Sequence, residues 1–433
     1  MVTRNEISRR QFIRRAVGTG AAAVAFPYLV PSCVLGEGGG AAPSGRITLG
    51  FIGTGKQSKH LMSSFLNSPG TQVLAACDVD KLKLARGKKI VEDHYASKNV
   101  SSYKGCDTYG DFRELLARDD IDAVVIATPD HWHAITVIQS AQAGKDIYCE
   151  KPLSQTIEQA RAMVNAVRRY GRVFQTGSMQ RSDWHFRLGC ELVLNGYIGE
   201  LQNVNVNVGG PPQDNPLPAQ PVPDYLDWDL WLGPALWRPY NEELSPHLSF
   251  DGFPNWRNHS KFGGGGMTDW GAHHFDIAQW GMGMDQSGPV EIIPPDGGEH
   301  KVLTYKYATG VTMTRSGRAR GVLFTGTKGE VNTDRGFLQT KPENLKDQQL
   351  GPNEIHLYES RNHYVDWLDA IRKRSRPICD IETGCRSVSV CHLGNIAYKL
   401  GRPLKWNPEH EVFEGDDGAN RLLSRPMRSP WHL

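Results

Sequence analysis

The chain has 433 residues, 39% of them hydrophobic and 22% charged, with a formal net charge of +2. That length suits two soluble globular domains rather than one. Residues 1–35 hold five Arg and one Glu, so the rest carries about −2 and lacks the basic surface that nucleic acid demands. Eight Cys show no CxxC pair and no zinc-like spacing, and they demand no disulfide.

The N-terminus reads as an export signal. Arg9 and Arg10 stand side by side, Phe12 follows, and a mild apolar stretch runs from Ala16 to Val30. Those 15 residues fall short of the roughly 20 that span a bilayer as a helix. Paired arginines before a short apolar segment predict the twin-arginine export machinery as a partner and a periplasmic location. Cys33 is a candidate for lipid anchoring, against which Pro31 stands two positions earlier. Residues 36–45, "GEGGGAAPSG", form a linker by composition.

From residue 46 to 178 short apolar runs alternate with longer periodic segments. Strands are predicted at Ile47–Ile52, in "TQVLAACDVD", at Asp122–Ile126, in "DIYCE" and in "RVFQTGS". Helices are predicted between them, down to "IEQARAMVNAVRRYG". This alternation predicts an α/β domain, a doubly wound parallel sheet with helices on both faces. Residues 179–433 have another texture. A helix near Ser182–Asn195 precedes "LQNVNVNVGG", whose alternation predicts a strand with one exposed face. Six Pro between 209 and 227 mark a long loop. Later strands predict an open, mostly antiparallel sheet, with helices near 361–374 and 384–400 closing this second α/β domain.

Four motifs carry chemistry. Gly53-Thr54-Gly55 lies between the first strand and the first helix, where glycines let the backbone approach a pyrophosphate at a helix N-terminus. Ser58 takes the place of the third small residue of that fingerprint. Asp78 ends the next strand, 25 residues after Gly53. A carboxylate there accepts from ribose hydroxyls and repels a 2′-phosphate, which favours NAD over NADP. In "ATPDHWHA", Thr128, Pro129 and His131 are predicted to line the cofactor cleft, because open parallel sheets bind ligands beyond their strand ends. Two histidines there do not complete a metal shell, so no metal is expected.

The third motif, "CEKPLS", carries Glu150 and Lys151 to the same edge. Beside an oxidised nicotinamide a partly buried lysine is biased towards its neutral form and can exchange a proton with a substrate hydroxyl. In the fourth, "GGGGMTDWGAHHFDIAQW", Thr268 is a candidate N-cap. Asp269, His273 and Asp276 are spaced i, i+4 and i+7, so one helical face is predicted to carry all three, with Asp269 orienting His273 as a general base. The aromatic group Tyr225, Trp228, Trp231, Trp237 and Trp256 suits a sugar platform or a core equally well.

"FIGTGKQ", "CDVD", "ATPDHWHA", "CEKPLS" and "TDWGAHHFD" together resemble the Gfo/Idh/MocA family of glucose–fructose oxidoreductase and inositol dehydrogenase relatives. The resemblance implies a Rossmann domain followed by an α/β domain whose open sheet forms homo-oligomer contacts. It also implies that Lys151, Asp269 and His273 act on a carbohydrate hydroxyl and that Glu150 helps to hold the nicotinamide ribose. The expected activity is NAD-dependent oxidation or reduction of a sugar, polyol or glycoside on a tightly held cofactor. The alternative is a glycoside hydrolase or lyase that uses bound NAD as a recycled redox group, and a non-catalytic carbohydrate-binding protein is a third reading.

Overall fold

The computed structural model describes residues 45–100 and 103–433, so the expected signal peptide and the linker through residue 44 lie outside the described residues. Six strands form the first sheet: β1 (Ile47–Ile52), β2 (Thr71–Cys77), β3 (Asp107–Tyr109), β4 (Ala123–Ile126), β5 (Asp146–Cys149) and β6 (Phe174–Thr176). Their order is β3-β2-β1-β4-β5-β6, and every pairing is parallel. The winding reverses between β1 and β4, which opens a crevice beyond their carboxyl ends. All residues of β4 and β5 are buried, as a sheet covered on both faces requires. The edge strand β3 exposes Asp107 and Thr108, so no apolar run announces it in the sequence.

Helices α1 (Lys56–Leu66), α2 (Lys81–Ser97), α3 (Asp130–Gln142) and α4 (Ile157–Arg169) connect these strands. In α4, Ile157, Ala160, Met163, Val164 and Val167 recur at helical spacing and are buried against the sheet. Thr156 caps its first turn by accepting from the Gln159 amide at 3.2 Å, and Arg168 and Arg169 complement its last turn.

The second half opens with α5 (Trp184–Leu194), capped by Asp183, and β7 (Leu201–Val206). After the proline-rich loop come α6 (Gly266–Asp269) and α7 (Gly271–Gly281). Then follow β8 (Glu291–Ile293), β9 (Thr304–Lys306), β10 (Thr312–Arg315), β11 (Val322–Gly326), β12 (Glu330–Asp334) and β13 (Phe337–Lys341). The chain ends with α8 (His363–Lys373), α9 (Ile381–Leu400), β14 (Leu404–Asn407) and β15 (Val412–Phe413). A nine-stranded sheet forms in the order β13-β12-β11-β7-β10-β9-β8-β14-β15. It is antiparallel except where β7 and β10 run side by side. The α/β architecture expected from the sequence is therefore present in both halves. β7 departs in detail: only Gln202 and Asn203 are exposed and Val204 to Val206 are buried, because β7 lies in the middle of the sheet.

Three expectations fail. Helix α8 does not close the second half; its Trp367, Leu368 and Ile371 belong to the core of the first, beside Phe65 and Tyr148. Its apolar stripe faces the outer side of the parallel sheet. The helical face expected to run through Asp269, His273 and Asp276 is broken at Trp270, where α6 ends and α7 begins. Thr268 lies inside α6, whose N-cap is Gly265 at φ +70°, a conformation that glycine adopts without strain.

Candidate active site

A cleft of about 610 Å³ lies between the carboxyl ends of the parallel strands and the second half of the chain. Its volume is that of a small-molecule or cofactor site. Gly53 closes β1 at φ +87°, and a Cβ there would stand 2.8 Å from the backbone of Ala127 and Thr128. Only glycine lets β1 and β4 leave the sheet so close together. Gly55 is the N-cap of α1, without a side-chain cap; a Cβ on it would project into open space. The first amides of α1 are thus unclaimed by any side chain and suited to an anion. Ser58 is fully buried under this turn, and its hydroxyl finds no partner.

Asp78 borders the cleft at the end of β2. Its Oδ2 accepts from the Thr54 amide at 2.7 Å and the Thr54 hydroxyl at 3.0 Å, and its Oδ1 from the Asp80 amide at 2.9 Å. Burial pushes this carboxyl up, against the pull of Lys83 and the two amides. Thr54 is accordingly not a cleft residue: it is buried behind the turn and positions Asp78, a correction to its expected cofactor contact. On the other side of β1, Thr128 and Pro129 border the cleft, and the buried Thr128 hydroxyl lacks a partner. An uncapped helix start, a glycine cradle and an orphaned hydroxyl fit a dinucleotide. Gly53, Gly55, Asp78, Thr128 and Glu150 are the residues that would hold it.

His131 is the second correction. Its ring turns away from the cleft and is packed between Trp231 and Phe262, with Nε2 donating to the Trp231 carbonyl at 2.9 Å. Burial pushes its imidazole down to about 3. The cleft residue of this motif is its neighbour Asp130, in the first turn of α3. Burial, reinforced by nearby Asp269, outweighs Arg257 and Lys151 and pushes the Asp130 carboxyl up to about 8. His133 lies deeper, with Nδ1 2.9 Å from the Pro152 carbonyl and Nε2 3.1 Å from that of Thr128. Burial lowers it to about 4, so the ring is neutral and donates to one carbonyl at a time. It ties the "ATPDHWHA" loop to the "CEKPLS" loop.

Glu150 is buried beside the cleft; its Oε1 accepts from Gln57 Nε2 at 3.1 Å and its Oε2 from the Lys151 amide at 3.3 Å. Burial raises its carboxyl, against the pull of Lys151 and Gln57. Lys151 crosses to the second half of the chain and donates from Nζ to Asp269 Oδ1 at 2.6 Å and to the Asp269 carbonyl at 3.0 Å. Burial alone would raise the Asp269 carboxyl; the Lys151 ammonium and then the Arg257 guanidinium bring it below its ordinary value. The Asp269 contact with His273 expected from their spacing is therefore replaced by an ion pair with Lys151.

His273 borders the same cleft from α7, and its buried Nδ1 has no hydrogen-bond partner. Burial, with nearby Lys151 and Arg335 next, holds its imidazole well below the ordinary value, so the ring is neutral, with a free lone pair. What fixes α7 is Asp276, which faces away from Asp269. Its carboxylate takes both ends of the Arg181 guanidinium at 2.8 Å and the Ser387 hydroxyl at 2.7 Å, all buried.

The second half also supplies cleft residues that no sequence motif pointed to. Arg257 lies over the rings of Trp256 (4.5 Å) and Phe253 (4.7 Å), and Arg335 lies over Trp270 (5.0 Å). Of the aromatic group, Trp228, Trp231 and Trp256 form a core, with Tyr225 packed against it and Trp237 exposed. Among the described residues there is no cluster of three or more His, Cys, Asp or Glu arranged for a metal.

Residues 47–178 match the description "Oxidoreductase family, NAD-binding Rossmann fold", and residues 211–433 match "Oxidoreductase family, C-terminal alpha/beta domain". The chain belongs to the Gfo/Idh/MocA oxidoreductase family. Among curated relatives, "Glycosyl hydrolase family 109 protein 2" of Shewanella sp. (strain ANA-3) is 32% identical over 160 residues, 36% of this chain and 34% of its own length. "Uncharacterized oxidoreductase YrbE" of Bacillus subtilis is 29% identical over 170 residues, 39% of this chain and 46% of its own. The chain thus spans less than half the length of these relatives. Solved structures share the fold. The WlbA dehydrogenase from Chromobacterium violaceum, in complex with NADH and UDP-GlcNAcA, superposes with a TM-score of 0.58 at 17% identity, covering 84% of this chain and 96% of that one. Aldose-aldose oxidoreductase from Caulobacter crescentus, complexed with glycerol, gives 0.56 at 18%, covering 83% and 99%. This Gfo/Idh/MocA protein thus carries the family's NAD-binding Rossmann fold ahead of its C-terminal α/β domain.

Proposed function

We propose that this Gfo/Idh/MocA protein oxidises a CH–OH group of a sugar, polyol or glycoside on a tightly retained NAD. The observation that supports this most is the meeting of Lys151, Asp269 and His273, from two parts of the chain, on the cleft that Gly53, Gly55 and Asp78 also border. When bound, the nicotinamide supplies the hydride acceptor. His273, neutral through burial, takes the hydroxyl proton. Lys151, held by Asp269, donates a hydrogen bond to the substrate oxygen as it becomes a carbonyl. Asp78 favours NAD over NADP, because its carboxylate suits a ribose diol and opposes a 2′-phosphate.

Retention of the cofactor agrees with the segment 244–257, which borders the cleft from the second half of the chain and reaches over the first. Lys56 of α1 lies 5.1 Å from the centre of the Phe253 ring and 3.4 Å from Asp251, and Lys83 of α2 donates to the Ser245 hydroxyl at 3.2 Å. Removing the ring by Phe253→Ala is expected to speed cofactor loss on dialysis about threefold to tenfold, the effect of one cation–π contact and its apolar cover. An unchanged dissociation rate argues against the strap. A protein exported folded needs such retention, and we read residues 1–35 as the signal that sends it, loaded, to the periplasm. The nine-stranded sheet is our candidate for a homo-oligomer interface.

The relatives described as glycosyl hydrolases favour a second reading, in which the bound cofactor is reduced and reoxidised within one turnover and the glycosidic bond is cleaved. One experiment separates the two. The purified protein is denatured to identify any released nucleotide, and the folded protein is challenged with sugars and glycosides while reduced nicotinamide absorbance is followed. Accumulating ketone and reduced cofactor support the oxidoreductase; net sugar release without either supports the hydrolase. Absence of bound nucleotide together with no affinity for added NAD sinks both.

A further inference from the structure

We propose that the substrate is an acidic sugar, and that Arg335, with Arg257, selects its carboxylate. This inference rests on the oxidoreductase reading above and names the substrate class of the same site. The cleft wall around Lys151 and His273 is cationic beyond what the chemistry needs. Arg335 sits at the turn between β12 and β13 with its guanidinium 5.0 Å from the centre of the Trp270 ring, and that ring lies 6.0 Å from the ring of His273. With the Gln180 amide turned so that its nitrogen donates to the His273 carbonyl, its oxygen accepts from Arg335 Nε at 3.1 Å. The adjacent acid, Asp334, is already engaged by Arg320 at 2.6 Å and stands 3.7 Å from His274. The Arg335 backbone amide donates to Asp334 Oδ1 at 2.8 Å, but among the described residues its guanidinium forms no ion pair with an acid.

Arg257 is in a similar position. Its guanidinium lies over the rings of Phe253 and Trp256, at 4.7 and 4.5 Å, and stands 3.9 Å from Asp269 Oδ1, an oxygen that Lys151 already holds at 2.6 Å. Three cationic side chains, Lys151, Arg257 and Arg335, therefore share two carboxylates, Asp269 and the buried Glu150, of which only Asp269 is held by a cationic side chain at hydrogen-bond distance. The remaining acid nearby, Asp130, is kept protonated at neutral pH by a carboxyl pushed up to about 8, and His273 is neutral. A bound oxidised nicotinamide adds positive charge. A neutral sugar leaves this excess without a counter-charge in the cleft. A carboxylate compensates it. A guanidinium packed over an aromatic ring leaves its N–H edges free for a planar, bidentate acceptor, and carboxylate is the matching group. The rings of Trp270 and Phe253 hold the two forks in place before substrate arrives.

The test pairs glucuronides and galacturonides with the corresponding glucosides and galactosides. Binding to the cofactor-loaded protein is read by calorimetry, and reduction of the bound nicotinamide by absorbance. The uronides are expected to bind at least tenfold more tightly than their neutral partners, with an advantage that shrinks as salt is raised. Arg335→Gln, at an exposed turn where folding is undisturbed, is expected to raise the uronide dissociation constant tenfold or more and to abolish the discrimination; Arg335→Lys restores part of it. Neutral sugars binding as tightly as uronides, or an Arg335→Gln protein that still discriminates, overturns this inference and leaves the oxidoreductase reading standing. Preference for sulfated over carboxylated sugars overturns the carboxylate assignment. If no sugar of either kind binds or reduces the cofactor, both readings fall.

Discussion

His273→Gln is expected to lower turnover by about 100- to 10,000-fold while the protein keeps its dinucleotide, the range for loss of a positioned general base. Gln preserves much of the ring's volume and polarity but has no basic nitrogen, so the fold and the cofactor contacts of the first domain should persist. Lys151→Met is expected to reach a similar loss by another route. It removes the donor to the developing carbonyl and leaves the Asp269 carboxylate, 28% exposed, without its ammonium. Among the described residues the cation left near it is Arg257, 3.9 Å away. A destabilisation of about 1.5–3 kcal/mol, the worth of a charge-assisted hydrogen bond, should accompany the lost activity. The double variant Lys151→Met/Asp269→Asn separates the two effects: stability should recover and turnover should not. The measurements are single-turnover reduction of bound cofactor and urea denaturation. Turnover within threefold of wild type in either single variant removes that residue from the chemistry.

The protein is also expected to be acid-labile well above the range in which carboxylates titrate. Burial holds His131 at about 3 and His133, His363 and His392 at about 4, against about 6.5 in an unfolded chain. Between those values the unfolded chain binds the proton and the native protein does not. The stability from each is fully present above about pH 6.5 and is lost as pH falls. Asp130 acts in the opposite direction. With its carboxyl near 8 rather than about 3.9, the native protein holds one extra proton across the same window. Across these five groups the unfolded chain therefore binds about three more protons than the native one between pH 6 and 5. That corresponds to roughly 4 kcal/mol of lost stability per pH unit, an upper figure comparable to much of a domain's total. Thermal unfolding followed from pH 7.5 to 5 should show the midpoint falling by on the order of 5–10 °C per unit near pH 5.5. A midpoint that stays level or rises with acid contradicts the buried, neutral state of these rings.

The loops that border the cleft were legible because each combines a local signal with a topological rule. An apolar run that ends in Glu150-Lys151 must leave a buried parallel strand at its carboxyl edge, and ligands of such sheets lie there. Which residue of "ATPDHWHA" faces the ligand was not legible. Asp130 and His131 are adjacent, and only the packing of Trp231 and Phe262, a hundred residues on, turns His131 inward and leaves Asp130 on the cleft. A proline N-cap followed by an acid in the first helical turn was the available signal for Asp130. The i, i+4 spacing of Asp269 and His273 misled because it assumes one continuous helix, and the backbone breaks at Trp270.

Alternating apolar runs and helical periods determined by themselves that there are two α/β halves, that the first winds about a parallel sheet, and which loops end at its binding edge. Those features are local: hydrogen-bond periodicity and burial act over a few residues. The partners of the charged groups were settled by tertiary structure alone. Lys151 finds Asp269 across 118 positions, Asp276 finds Arg181, Arg335 meets the ring of Trp270, and α8 covers a sheet that it follows by nearly two hundred residues. A side chain's charge and burial depend on what the whole fold brings within a few ångströms of it, and no periodicity in the chain encodes that distance.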